Sequence, residues 1–399
     1  MRKLTAAISL ISAFAASFAQ QDAGARKNND LGFRLYRAFS AKTSSSNFVF
    51  SPYSVYMTYA ALYAAADGDT AAGIRAFMDF PASADAHGEN SSAFYGRFKK
   101  NSGSGAAEMV AQNIFWVEDD IELEPDFRGR LKSKFDLPCI SVDFERPKRA
   151  LGIMNSTVAA ASKNSVKNSV PPSCVTGRTV FIVQNACFFD GAFSLDFGRA
   201  NTSKEPFAAP GGRRESVPMM HSESVEYNYV ETDSFKAFKL PYKGDTMSLL
   251  ILLPGKGVSP SEALLSLDAG KLAKMMKLLG SKECPVSSLS LPRFRLDCPP
   301  LSIGPVLKDL GLSAAFSLNA DFGRISSILK GRPIDAYLHK AAFVVEEKSQ
   351  NAPNVKAKSG MFGIPLRHSV VDRPFAFMLL DGATSAVYFM GHVVDPAKN

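Results

Sequence analysis

The chain has 399 residues, 46% of them hydrophobic and 21% charged, with a formal net charge of +8. That balance is ordinary for a globular protein and excludes a disordered, collagen-like or disulfide-dense chain. The basic runs Arg97-Phe98-Lys99-Lys100 and Arg146-Pro147-Lys148-Arg149 are short and read as solvated surface. They give weak support to a polyanion partner and none to a nucleic-acid reader.

In chain order, Arg2 and Lys3 precede an uncharged apolar run over residues 4–17, and Ser17-Phe18-Ala19 follows. This pattern predicts a signal peptide over residues 1–19, a mature start at Gln20 and an extracellular, secreted product. The run is short for a bilayer, so no membrane association is expected. Leu31, Leu35 and Phe39 recur at helical spacing, and residues 54–66 form an Ala-rich helix ending near Gly68. Residues 178–189 read as a strand; residues 237–242 and 246–253, joined by Lys243-Gly244-Asp245, read as a hairpin. Ser259-Pro260-Ser261-Glu262 is a capping box that predicts one helix through Leu279, stopped at Gly280. A strand over 288–296, a short helix to Leu310, and strands over 342–347, 375–380 and 386–394 complete the pattern. Interspersed helices and antiparallel hairpins indicate one α+β domain over residues 20–399, with no internal repeat and no linker.

Residues 348–372 lie between two core strands, are rich in Ser, Gln, Asn, Pro, Lys and Gly, and show no sustained periodicity. Loops longer than about 15 residues are uncommon inside domains and are functional or disordered. The apolar patch Met361-Phe362-Gly363-Ile364-Pro365-Leu366 favours a binding loop over an inert insertion.

Catalytic constellations are missing: there is no G-x-S-x-G, H-E-x-x-H, C-x-x-C or phosphate-binding Gly loop. His87, His221, His339, His368 and His392 are scattered, so no metal and no cofactor are expected, and the chain is not read as an enzyme. A triad assembled from distant residues would show only in three dimensions. Cys139, Cys174, Cys187, Cys284 and Cys298 are widely spaced and odd in number, which leaves at least one unpaired; Cys187, in an apolar run, reads as a buried inert thiol.

Several segments resemble the serpin family, in order and spacing, over essentially the whole mature chain. They are Asn47-Phe48-Val49-Phe50-Ser51-Pro52-Tyr53-Ser54, Gly68-Asp69-Thr70, Val183-Gln184-Asn185-Ala186-Cys187-Phe188-Phe189-Asp190-Gly191, Val217-Pro218-Met219-Met220, Leu240-Pro241-Tyr242-Lys243-Gly244 and Leu291-Pro292-Arg293-Phe294. Asp372-Arg373-Pro374-Phe375 and Phe389-Met390-Gly391-His392-Val393-Val394-Asp395-Pro396 close the chain in the same pattern. The resemblance implies a main mixed β-sheet with smaller sheets, about eight or nine helices and an exposed reactive-centre loop. It also implies a monomer whose partner is a serine protease, trapped when the cleaved loop inserts into the main sheet as a new strand.

By position, Ser51, Ser54, Asn185 and His339 match the polar cluster that controls sheet opening, called the shutter. Arg293 and Glu347 match an ion pair at the top of the sheet, the breach, and Phe193 stands there in place of the family's Trp. Thr157 replaces a second Trp, in the helix that covers the sheet, where Asn155 and Val158 still match. The scissile bond is expected at Gly363-Ile364, which suits an elastase-like enzyme; a shift by one residue to Phe362 suits a chymotrypsin-like one.

The hinge departs from the family's small, Ala-rich pattern: it reads Glu347-Lys348-Ser349-Gln350-Asn351-Ala352-Pro353-Asn354-Val355-Lys356. Insertion in the family's register buries Gln350, Ala352, Asn354 and Lys356. An unpaired buried amide costs about 1–3 kcal/mol and a charge more, and Pro353 removes a ladder donor. Stable trapping is therefore disfavoured, leaving a weak inhibitor, a substrate or a binding and carrier role. The alternative is a working suicide inhibitor of a chymotrypsin- or elastase-like protease.

Overall fold

The structure, a computed structural model, describes residues 2–103, 105, 107–195, 197–225, 228–281, 287–348 and 368–398. The chain begins α1 (Arg2–Thr43), β1 (Phe48–Phe50), α2 (Pro52–Ala65), α3 (Gly68–Met78), α4 (Ala84–Ser102), β2 (Ala107–Glu118), α5 (Pro125–Phe135), β3 (Cys139–Val142) and α6 (Pro147–Ala161). Strands β4 (Phe181–Gly191), β5 (Thr202–Ala208), β6 (Arg214–Val225), β7 (Asn228–Glu231), β8 (Phe235–Pro241) and β9 (Met247–Pro254) follow. Next come α7 (Pro260–Leu265), α8 (Ala269–Ser281), β10 (Ser287–Pro292), β11 (Phe294–Asp297), β12 (Leu301–Ser302) and α9 (Gly304–Asp309). The chain closes with β13 (Ala336–Val345), β14 (His368–Val370), β15 (Phe375–Asp381) and β16 (Val387–Val393).

Three sheets organise these elements. The main sheet has the order β11-β13-β4-β2-β3, with β12 also on β13; β13 pairs β4 and β2 pairs β3 in parallel, while β2 and β4 are antiparallel. A second sheet, β1-β16-β15-β9-β8-β7, is antiparallel throughout, and β14-β10-β6-β5 forms a smaller third.

Strand β4 is buried and mainly apolar on both faces because both are covered. Val183, Cys187 and Phe189 enter the large core shared with the second sheet, where Phe343 packs 4.9 Å from Phe377 and 5.5 Å from Phe389. Ile182, Ala186 and Phe188 face the other way, onto α6, whose Ala150, Met154 and Val158 recur every four residues. Helix α2 is buried along nearly its whole length, consistent with small Ala and apolar side chains all round it.

The single helix expected from Pro260 to Leu279 is two. The Ser259–Glu262 capping box forms, but α7 ends at Leu265, and Asp268 starts α8 by accepting from the Lys271 amide at 2.7 Å. The strand expected over 288–296 also divides. β10 belongs to the third sheet and β11 to the main one, and the chain changes sheet at Arg293, whose amide donates to Pro218 O at 2.9 Å. Cys139, Cys187 and Cys298 are buried free thiols and Cys174 is a partly buried one; Cys284 lies outside the described residues. Burial pushes the Cys187 thiol up to about 12, as expected of an inert group.

Candidate functional site

The seam between β13 and β4 runs in parallel register from Ala336 opposite Ile182 to Val344 opposite Asp190. At its middle His339 stands opposite Asn185, and Asn185 stands opposite Asn113 of β2. The alternation of strand side chains sends all three inward, towards the N-terminus of α2. There the Ser51 amide donates to His339 Nε2 at 3.1 Å, and the Ser51 hydroxyl donates to Tyr388 O at 2.7 Å. Ser51 also caps α2, accepting from the Ser54 amide at 3.2 Å, while the Ser54 hydroxyl donates to Asn113 Oδ1. Asn185 Nδ2 donates to Asn113 Oδ1 and to Thr58 Oγ1, both at 2.8 Å.

The donors fix the tautomer. Nε2 accepts from an amide, so it carries no proton, and Nδ1 carries it towards Asn185 Oδ1, 3.5 Å away. A charged imidazole would lose the Ser51 bond and sit desolvated, and burial holds His339 down to about 3. Between pH 6.5 and 3 the unfolded chain therefore binds a proton that the native site refuses, and stability contributed by His339 is lost as pH falls through that window. Urea unfolding of His339→Gln compared with wild type is expected to show a shallower loss of stability from pH 6.5 to 4, by up to about 1.4 kcal/mol per pH unit. Parallel curves would show that His339 does not carry this linkage.

The upper end of the seam is charged. Glu347, only 4% exposed in its side chain, lies 3.4 Å from Arg293 Nη1 and 3.4 Å from Thr202 Oγ1. Its other oxygen, Oε2, is buried without a partner. Lys348 reaches back across the seam to Asp190 Oδ2 at 2.5 Å and to Glu346 at 2.8 Å, which ties the start of the loop to β4. Beside these groups, Phe193 stacks on Tyr242 at 4.5 Å and 14°, so its ring packs flat at the position where the family pattern has Trp. A cavity of about 240 Å³ opens here between Phe193, Phe197, Lys243 and residues 346–348.

The structure thus brings Ser51, Ser54, Asn185 and His339 into one network, and Arg293, Glu347 and Phe193 to one end of the seam. Asn155 of α6 accepts from the Val170 amide at 3.0 Å and donates to Val170 O, holding the segment that leads into β4. Sequence reasoning missed Asn113 and Thr58, which complete the network, and the Lys348–Asp190 pair. Asn113 follows Gln112 and precedes the apolar run Ile114-Phe115-Trp116-Val117, so no alternation marks its face, and only its register with Asn185 shows that it points inward. The hinge residues Ser349, Gln350, Asn351, Ala352, Pro353 and Asn354, and the bait residues Phe362, Gly363 and Ile364, lie outside the described residues.

The model of the family described as Serpin (serine protease inhibitor) matches residues 26–396. The chain belongs to the serpin family. Among similar proteins, an uncharacterised serpin-like protein of Thermococcus kodakarensis is 28% identical over 374 residues, 92% of this chain and 84% of that one. Plasminogen activator inhibitor 1 of Bos taurus is 28% identical over 388 residues, 96% of this chain and 94% of that one. In fold, the serpin superposes on native protease nexin-1, solved with heparin, with a TM-score of 0.83 at 24% identity, covering 94% of this chain and 100% of that one. Human thyroxine-binding globulin is similar at a TM-score of 0.81 and 23% identity, covering 94% and 99% of the two chains. The expected main mixed sheet, smaller sheets and helices are therefore present, with nine α-helices among the described residues; residues 349–367 of the loop lie outside them.

Proposed function

We propose that this serpin is exported, with residues 1–19 removed, and offers residues 348–372 as bait to extracellular serine proteases. It is cleaved there without trapping the enzyme stably, and acts as a substrate, a weak inhibitor or a binding protein. The observation that carries this reading is what a strand inserted between β4 and β13 would meet. Apart from the Asn185–His339 pair at its middle, the inner side of the seam is lined by Val183, Cys187 and Phe189 on β4 and by Tyr337, Ala341 and Phe343 on β13, all in the large core. Gln350, Asn354 and Lys356 would enter that layer, and their unpaired polar groups oppose it.

A specific observation favours the second reading, a working suicide inhibitor. The network at His339 and the Arg293–Glu347 pair are both formed, so the parts that flank the seam are in place. Incubation with elastase and chymotrypsin, read on a denaturing gel, separates the two. Clean cleavage between Met361 and Pro365 with no covalent band and an unchanged melt is the expected result. A covalent complex with a raised melt of the cleaved chain would establish the second reading instead.

A further inference from the structure

A cavity of about 450 Å³ lies far from the seam, between the C-terminal end of α2, the start of α4 and one face of α5. Its size falls in the ordinary range for small-molecule sites, about 300–1,000 Å³. It stays open because Ala64, Ala66 and Ala71 stand where larger side chains would fill it. The floor is apolar. His87, 3% exposed, packs its ring 4.8 Å from Tyr63 and 5.8 Å from Phe135, beside Leu131. Its Nε2 lies 2.8 Å from Ala60 O, a group that only accepts, so that nitrogen carries a proton, and burial lowers the ring's pKa from its ordinary value.

The mouth is charged in one sense. Arg130 and Lys134 stand four residues apart on α5, a like-charge spacing that is unfavourable unless an anion lies between them. Neighbouring cations are satisfied, Lys132 by Asp136 and Arg324 by Asp67 at 2.9 Å, whereas Arg130 and Lys134 have no acidic partner among the described residues. Glu89 is the single acid at the rim among the described residues. An apolar floor and two uncompensated cations at the opening match one ligand shape: an alkyl chain ending in an anion.

We propose that this cavity binds a medium- or long-chain carboxylate, tail on the Tyr63, His87, Leu131 and Phe135 floor and head group between Arg130 and Lys134. The site is independent of whether the loop traps a protease. Calorimetric titration of the full chain with decanoate and with decanol tests it. Two variants separate head from tail. Arg130→Ala with Lys134→Ala is expected to weaken decanoate about tenfold or more and to leave decanol within about twofold. Gly88 lines the cavity and a Cβ there meets nothing within 4 Å, on a helix that prefers Leu to Gly, so Gly88→Leu narrows the cavity in a chain that is expected to fold. It is expected to abolish binding of both ligands while the melt is kept or raised. The site is overturned by decanoate binding that survives Gly88→Leu, or by a double variant that binds decanoate as wild type does. Equal loss of decanol and decanoate in the double variant overturns it too, as does absence of saturable binding to wild type up to about 1 mM.

Discussion

A chain carrying Gln350→Thr, Pro353→Ala, Asn354→Ala and Lys356→Thr is expected to gain a covalent protease complex, and its cleaved form is expected to melt higher than cleaved wild type. The substitutions replace two amides and a charge at the inward positions by small side chains and restore one ladder donor. Relief of two unpaired amides, a buried charge and a missing backbone bond amounts to roughly 5–10 kcal/mol. In a chain of 399 residues, at about 2.1 cal/mol/K of unfolding entropy per residue, that is a rise of roughly 6–12 °C. Ser349→Ala with Asn351→Ala, at outward positions of the same register, is the control and should change neither readout. Equal melts for the two cleaved chains would mean that the hinge does not decide insertion.

Gly391→Ala is expected to be the most damaging single methyl in the chain. Gly391 of β16 stands opposite Val49 of β1, and a Cβ there would collide with the Phe48 carbonyl oxygen and lie 2.9 Å from Val49 Cα. Both obstacles are backbone, held by the sheet and by α2 just beyond, so nothing yields. The loss is expected to exceed about 4 kcal/mol, seen as a large fall in melting temperature or in soluble yield. Gly191→Ala meets the rings of Tyr242 and Phe189 at 2.8 Å, which shift at a smaller cost of about 1–3 kcal/mol. Gly96→Ala in α4 and Gly152→Ala in α6 meet nothing within 4 Å and should stabilise by about 0.5–1 kcal/mol each. A Gly391→Ala chain that melts with Gly96→Ala would refute the close approach of β1 to β16.

Much of the fold was legible because its signals are local. The capping box at Ser259–Glu262 is made by residues three apart, and the 237–253 hairpin by a turn of a few residues. The break between α7 and α8 was not legible, since Asp268 caps a helix whose apolar pattern continues from the one before. The change of sheet at Arg293 was hidden for a similar reason: an apolar strand pattern carries no label for the sheet it joins. In the site, Ser51, Ser54, Asn185 and His339 were found because the segments around them resemble a known pattern. Asn113 carried no such label.

The sequence by itself determined the family, the α+β class, the polar character of the hinge and the absence of a catalytic or metal-binding motif. These follow from composition, from short-range periodicity and from segments that match without any fold being known. Only the tertiary structure decided that β4 and β13 are paired along a closed seam, that Asn113 and Thr58 complete the network at His339, and that Lys348 reaches Asp190. Lys348 and Asp190 are 158 positions apart in the chain. No local propensity encodes such a contact; it exists because strand register and core packing bring the two ends of neighbouring strands together. The cavity beneath Arg130 and Lys134 is of the same kind, since its alanines and its cations come from separate helices.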